Sequence, residues 1–95
     1  MPFYSFYGVF EPDERGYSVS FPDLKGCLTC GDDMGEALVR AKYTLEGYLS
    51  EYEDLDKGIP VPSSLETVKA NMPEDANVIL VEINTEDSRG IERLR

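Results

Sequence analysis

Two cysteines, Cys27 and Cys30, stand with two residues between them. That spacing serves redox pairs and half-sites for zinc. Zinc in a structural site takes four ligands, and the chain holds no further cysteine and no histidine. A thioredoxin-like pair would sit at a helix N-terminus. Here both residues fall in a segment that reads as a strand, where positions three apart face opposite sides of a sheet. The two are read as plain small core or surface residues with free thiols.

Carboxylates are the second chemical resource, with 19 Asp and Glu against nine Lys and Arg. Two-metal phosphodiester cleavage needs acids converging on two ions, from strand interiors and helix ends. The first strand, Phe3 to Phe10, carries none. Glu11, Asp13 and Glu14 fall in a turn, Asp32 and Asp33 in a helix cap, and Glu82 is the one acid in a strand. Without histidine, no imidazole base activates a serine or cysteine. Lys25 is the one base close in sequence to Cys27, and it is read as solvated. No glycine-rich phosphate loop follows a strand. Tyr43, Tyr48 and Tyr52 lie at helical spacing and are read as core or rim residues. No catalytic residue, no metal ligand set and no cofactor site is expected. The composition points to a binding module, not an enzyme.

Charge narrows the partners. The formal net charge is −10 over 95 residues, the length of a single small domain. A field of that sign repels phosphate backbones and anionic membranes, so direct nucleic-acid binding by this chain is disfavoured. A basic protein partner is favoured. The plainer alternative is a surface that only keeps a small protein soluble. No signal peptide and no membrane-length apolar run is visible, and a cytoplasmic location is expected.

These residues must be positioned by a few elements. Phe3 to Phe10 is aromatic-rich and β-branched, with Tyr4, Phe6 and Phe10 on one side and Phe3, Tyr7 and Val9 on the other. Apolar groups on both faces suit a central strand covered on both sides. If helices cover one side only, the second row is an exposed patch of the kind that marks a partner surface, and it is the motive for expecting a homo-oligomer. Tyr17, Val19 and Phe21 alternate with Ser18 and Ser20, the pattern of a half-buried strand. Pro22 and Asp23 stop it, and Gly26 relaxes the backbone before a third strand at about Cys27 to Cys30.

Asp33 and Glu36 have capping-box spacing. Met34, Ala37, Leu38, Ala41, Leu45, Tyr48, Leu49 and Tyr52 then follow at intervals of three and four, one apolar stripe of a long helix. Lys42 and Glu46 fall toward water, spaced to pair. Gly47 is read as a point where the helix lies close to the sheet, and Gly58 as a glycine stop. Ile59-Pro60-Val61-Pro62 must be extended. Ser63 and Glu66 repeat the capping spacing before a second, shorter helix that stops at Pro73. Val78 to Ile83 is a nearly continuous apolar run, suited to a buried strand of the kind found in parallel pairs. A right-handed crossover would set it beside the first strand. The expected fold is α+β, β-β-β-α-(α)-β, with a mostly antiparallel four-stranded sheet in order 3-2-1-4 and the helices on one face. One domain covers 1–84, and 85–95 is a polar C-terminal tail carrying Arg89, Arg93 and Arg95.

The run Gly16 to Cys27, Gly-Tyr-Ser-Val-Ser-Phe-Pro-Asp-Leu-Lys-Gly-Cys, resembles the N-terminal signature of the HicB antitoxins. The likeness continues through Thr29, Gly31-Asp32, Glu36-Ala37, Ala41 and Leu49. It resumes at Ile59-Pro60-Val61-Pro62-Ser63 and at Val78 to Ile83. The resemblance implies a partial ribonuclease H-like fold without nuclease activity. It also implies a partner, a small basic HicA-like toxin that cleaves messenger RNA and whose active site the antitoxin covers. Many members of that family carry a DNA-binding segment after this domain, and none is evident here. The alternative is a solitary HicB-like homo-oligomer with no toxin or an unassigned ligand. Candidate partner contacts are the aromatics and acids Phe3, Tyr7, Tyr17, Phe21, Pro22, Asp23, Asp32 and Asp33. Each has a competing reading as a turn or core residue that fixes the fold.

Overall fold

The computed structural model describes residues 3–86; Arg89, Arg93 and Arg95 of the expected tail lie outside them. Three strands open the chain: β1 (Phe3–Pro12), β2 (Tyr17–Ser20) and β3 (Leu28–Gly31). Helix α1 (Met34–Asp54) follows, then the short helix α2 (Leu65–Ala70) and strand β4 (Asn77–Asn84). The sheet order is β3-β2-β1-β4, as the sequence implies.

All pairings are antiparallel. Strand β4 therefore departs from the parallel reading of its apolar run. It runs the length of β1, from Phe3 opposite Asn84 to Phe10 opposite Asn77. Nor is it buried throughout: Val81 and Ile83 are buried, whereas Leu80 is 44 % exposed. The strand is half-covered, with apolar residues on both faces.

The main core lies on one face of the sheet. Phe6 and Phe10 of β1, Val19 of β2 and Val81 and Ile83 of β4 meet Ala37, Ala41, Leu45 and Leu49 of α1. The two alanines let the first turns of α1 approach the sheet closely. Gly31 completes that approach, since a Cβ there would stand 2.4 Å from the backbone nitrogen of Ala37. Gly8 leaves room in the same layer for the rings of Phe10 and Phe21.

The second helix is not on this face. Val68 of α2 packs with Val9, Ala76, Met72 and Val78 in a separate cluster. Val9 alternates with Phe10 along β1, so this cluster lies on the opposite side of the sheet. The expectation of both helices on one face is corrected: α1 and α2 sandwich the sheet, and α2, at six residues, covers only the end near Val9.

Local chemistry explains the boundaries. Asp33 caps α1 by accepting the N–H of Glu36 at 2.8 Å, and the Glu36 carboxylate accepts the N–H of Asp32 at 3.0 Å. Helix α1 ends in a Schellman motif: Lys57 N–H reaches the Tyr52 carbonyl and Asp56 N–H the Glu53 carbonyl. Asp56, at φ 54°, takes the left-handed position, not Gly58. Helix α2 starts one residue later than the spacing suggests, with Ser64 as its cap. Gly47 is exposed with open space around it, so the close-approach reading fails there. Leu38 turns outward, while Glu46, read as solvated, is buried. Arg40 pairs with Glu36 one turn away on the helix. Beyond β4, Thr85 is buried and forms a helical turn with Glu86.

Candidate partner interface

The segment Phe21 to Cys27 is two consecutive turns. Leu24 N–H bonds to the Phe21 carbonyl and Cys27 N–H to the Leu24 carbonyl. A period of three places Phe21, Leu24 and Cys27 in the core and leaves Pro22 and Lys25 outside. Gly26 sits at the third position of the second turn with φ 82°, a conformation glycine adopts without strain.

The loop is tied to both sides of the sheet. The Tyr48 hydroxyl of α1 donates to the Lys25 carbonyl at 2.8 Å. The same hydroxyl stands 3.0 Å from the hydroxyl of Tyr52. The bond to Tyr52, then burial, pushes the Tyr48 hydroxyl up to about 12. On the other side, Ser63 donates its backbone N–H at 2.7 Å and its hydroxyl at 2.6 Å to the Asp23 carboxylate. This clasp anchors the Ile59–Pro62 linker and delivers α2 to the second face.

The two cysteines separate as strand geometry requires: Cys27 is buried and Cys30 exposed, both free thiols. Burial pushes the Cys27 thiol up to about 11, so it is a neutral core group. Among the described residues no group of three or more His, Cys, Asp or Glu is placed to hold a metal ion.

The candidate contacts do not form one patch. Phe21 is 2 % exposed and is a core residue, out of reach of any partner. Tyr17 is half-buried against the same core. Asp33 is the helix cap. Asp32 and Tyr17 line a shallow acidic depression with Asp13, Glu14, Arg15 and Cys30. Pro22 and Asp23 line a groove of about 300 Å³ beneath α2. Phe3 and Tyr7 lie on the second sheet face.

That second face carries residues the sequence reading missed. Leu80 is paired with Tyr7, and Leu28 with Ser20, which is itself paired with Val9. Phe3 (65 % exposed), Leu28 (65 %) and Leu80 therefore share the face that α2 leaves open. Leu80 was hidden inside an apolar run; its alternation with Val81 is the signal that separates the two faces. The groove adds Glu11 and Thr67 to Pro22 and Asp23, which is visible only once α2 is placed.

A model of the HicB-like antitoxin of bacterial toxin-antitoxin systems matches residues 6–93. The chain belongs to the HicB-like antitoxin family. Among curated relatives, Antitoxin HicB 2 of Photorhabdus laumondii is 34 % identical over 76 residues, which is 80 % of this chain and 55 % of that protein. An uncharacterized 14.9 kDa protein of Haemophilus phage HP1 is 33 % identical over 75 residues, 75 % of this chain and 53 % of that protein. The chain spans about half the length of these relatives.

The fold agrees with solved structures. A chain of a toxin-antitoxin complex from Streptococcus pneumoniae superposes with a TM-score of 0.78 at 19 % identity, over 90 % of this chain and 72 % of the other. A chain of the HicA3 and HicB3 toxin-antitoxin complex gives 0.67 at 18 % identity, over 85 % and 99 %. The HicB-like family is one of antitoxins, not of enzymes. Among the described residues no helix is long and apolar enough to cross a membrane.

Proposed function

We propose that this HicB-like chain neutralises a small, basic, HicA-like toxin that cleaves messenger RNA, by covering the toxin's active site. The observation that carries the reading is the antitoxin family match across residues 6–93. The net charge of −10 supports it, because complementary charge steers a basic partner to an acidic one. The open sheet face supplies apolar area for the contact, with Phe3, Leu28 and Leu80 exposed together. Of the candidate contacts, Phe21 is the one closed to a partner.

The test is an RNA-cleavage assay with a HicA-type protein, with and without an equimolar amount of this chain. RNA survives when both are present, and this chain alone leaves RNA intact. Equal degradation in both arms refutes the reading.

The same open face favours a second reading, self-association of a solitary domain. Size-exclusion chromatography with light scattering separates the two: a species of twice the 10.7 kDa chain mass supports self-association, and a monomer at high concentration removes it.

A further inference from the structure

The groove beneath α2 has a composition that specifies more than a generic contact. Its floor is Val9 and Ser20 of the sheet, and Val68 of α2 with Met72 just beyond the helix form its wall. At about 300 Å³ it lies at the lower end of ligand-site volumes, a size for one side chain, not a cofactor. Its charged lining residues, Glu11 and Asp23, are both acids. The Asp23 carboxylate is held on both oxygens by Ser63, so that wall is fixed before anything binds. Glu11 is half-buried, and its carboxylate has no hydrogen bond or ion pair among the described residues. Its acceptor oxygens are therefore free to receive the donors of a cation seated in the groove.

We propose that this groove seats one arginine side chain of a basic protein partner. The apolar walls accept the aliphatic stem. The planar guanidinium then meets the Glu11 carboxylate and the outer lone pairs of Asp23, its fork of N–H donors giving it more bonds to share between two acids than an ammonium has. A groove that was merely hydrophobic would not be lined by two acids; a merely acidic surface would not have Val9, Val68 and Met72 beneath it. The nature of the partner rests on the antitoxin reading. The groove's preference for arginine rests on its own lining.

The experiment is a titration of the ¹⁵N-labelled full chain with N-acetyl-arginine methylamide, followed by amide chemical shifts. Saturable shifts are expected at Glu11, Ser20, Asp23, Thr67, Val68 and Asn71. Glu11→Gln weakens binding about tenfold, and the norleucine analogue, which keeps the stem and lacks the charge, does not saturate. Shifts scattered over the acidic surface, or equal binding of the norleucine analogue, overturn the proposal. In case Glu11→Gln perturbs the fold, raising NaCl on the wild-type chain gives the same decision, because an ion-paired arginine weakens and an apolar contact does not. The RNA-cleavage assay reads the antitoxin function separately. Intact protection by a Glu11→Gln chain that folds normally would sink the arginine anchor and leave the antitoxin reading standing.

Discussion

At the scale of single residues, the motif with the strongest chemical spelling turns out to be structural. Cys27 closes the second turn of the loop from inside the core, and Cys30 faces outward from β3. Iodoacetamide is therefore expected to label one thiol of the native chain, Cys30, and both in denaturant, read by mass spectrometry. The raised Cys27 thiol also sets an alkaline limit. Its folded value is about 11 against an ordinary 9.0, so the unfolded chain loses this proton first as pH rises. The resulting stabilisation is complete below about pH 9 and is lost as pH climbs through about 11. The melting temperature should hold up to about pH 9 and fall above it. A Cys27→Ala chain should melt lower at neutral pH, with a shallower alkaline decline between pH 9 and 11. Asp23 is the other residue whose role lies in position. It ties the linker before α2 to the loop, and Asp23→Ala removes two charge-assisted hydrogen bonds from a half-buried site. A loss of about 1–3 kcal/mol in urea unfolding is expected, with exchange protection lost first at the amides of α2.

At the scale of elements, two glycines make opposite predictions. Gly31 lies where β3 meets α1, and a methyl group there runs into the helix backbone at Ala37. Gly31→Ala should destabilise by about 1–3 kcal/mol. Gly47 lies on the outer side of α1 with nothing near it, so Gly47→Ala should stabilise by about 1 kcal/mol. Urea midpoints measured on both variants check the pair. Sequence periodicity could find the helix but not distinguish these positions, since whether a glycine is needed depends on what the helix meets across space. The strands, their order and α1 were legible because period two, period 3.6 and the Asp33–Glu36 cap are local signals. The antiparallel sense of β4 was not, because an apolar run of β-branched residues fits a parallel pair or a half-open antiparallel edge equally well. The side taken by α2 was hidden for a related reason. Its six residues carry one buried apolar position, Val68, too little to show a face, and the Asp23–Ser63 clasp that delivers it joins residues 40 apart. The interface candidates suffered accordingly: Phe21 is apolar and next to an exposed loop, yet its ring fills the space Gly8 leaves in the core.

At the scale of the whole molecule, charge and apolar area are distributed differently, and they should govern different steps of binding. The charge of −10 belongs to the entire chain, whereas Phe3, Leu28 and Leu80 lie on one face of the sheet. A diffuse field acts at distances up to the Debye length, about 10 Å at 0.1 M salt, so it accelerates encounter with a basic partner. Apolar side chains act only at contact and so hold the complex once formed. For binding to a HicA-type protein, raising NaCl from low salt to 0.5 M should reduce the association rate about tenfold or more with little change in dissociation. The double variant Phe3→Ser, Leu80→Ser should do the reverse, raising the dissociation rate about tenfold or more at nearly constant association. Both side chains are substantially exposed in the free chain, so the double variant should keep its urea midpoint close to wild type. Surface plasmon resonance on the two series resolves the rates. If salt and the double variant shift the same rate constant, the open face is not where the partner rests, and the contact must be sought on the outer side of α1, where Leu38, Val39 and Tyr43 are exposed.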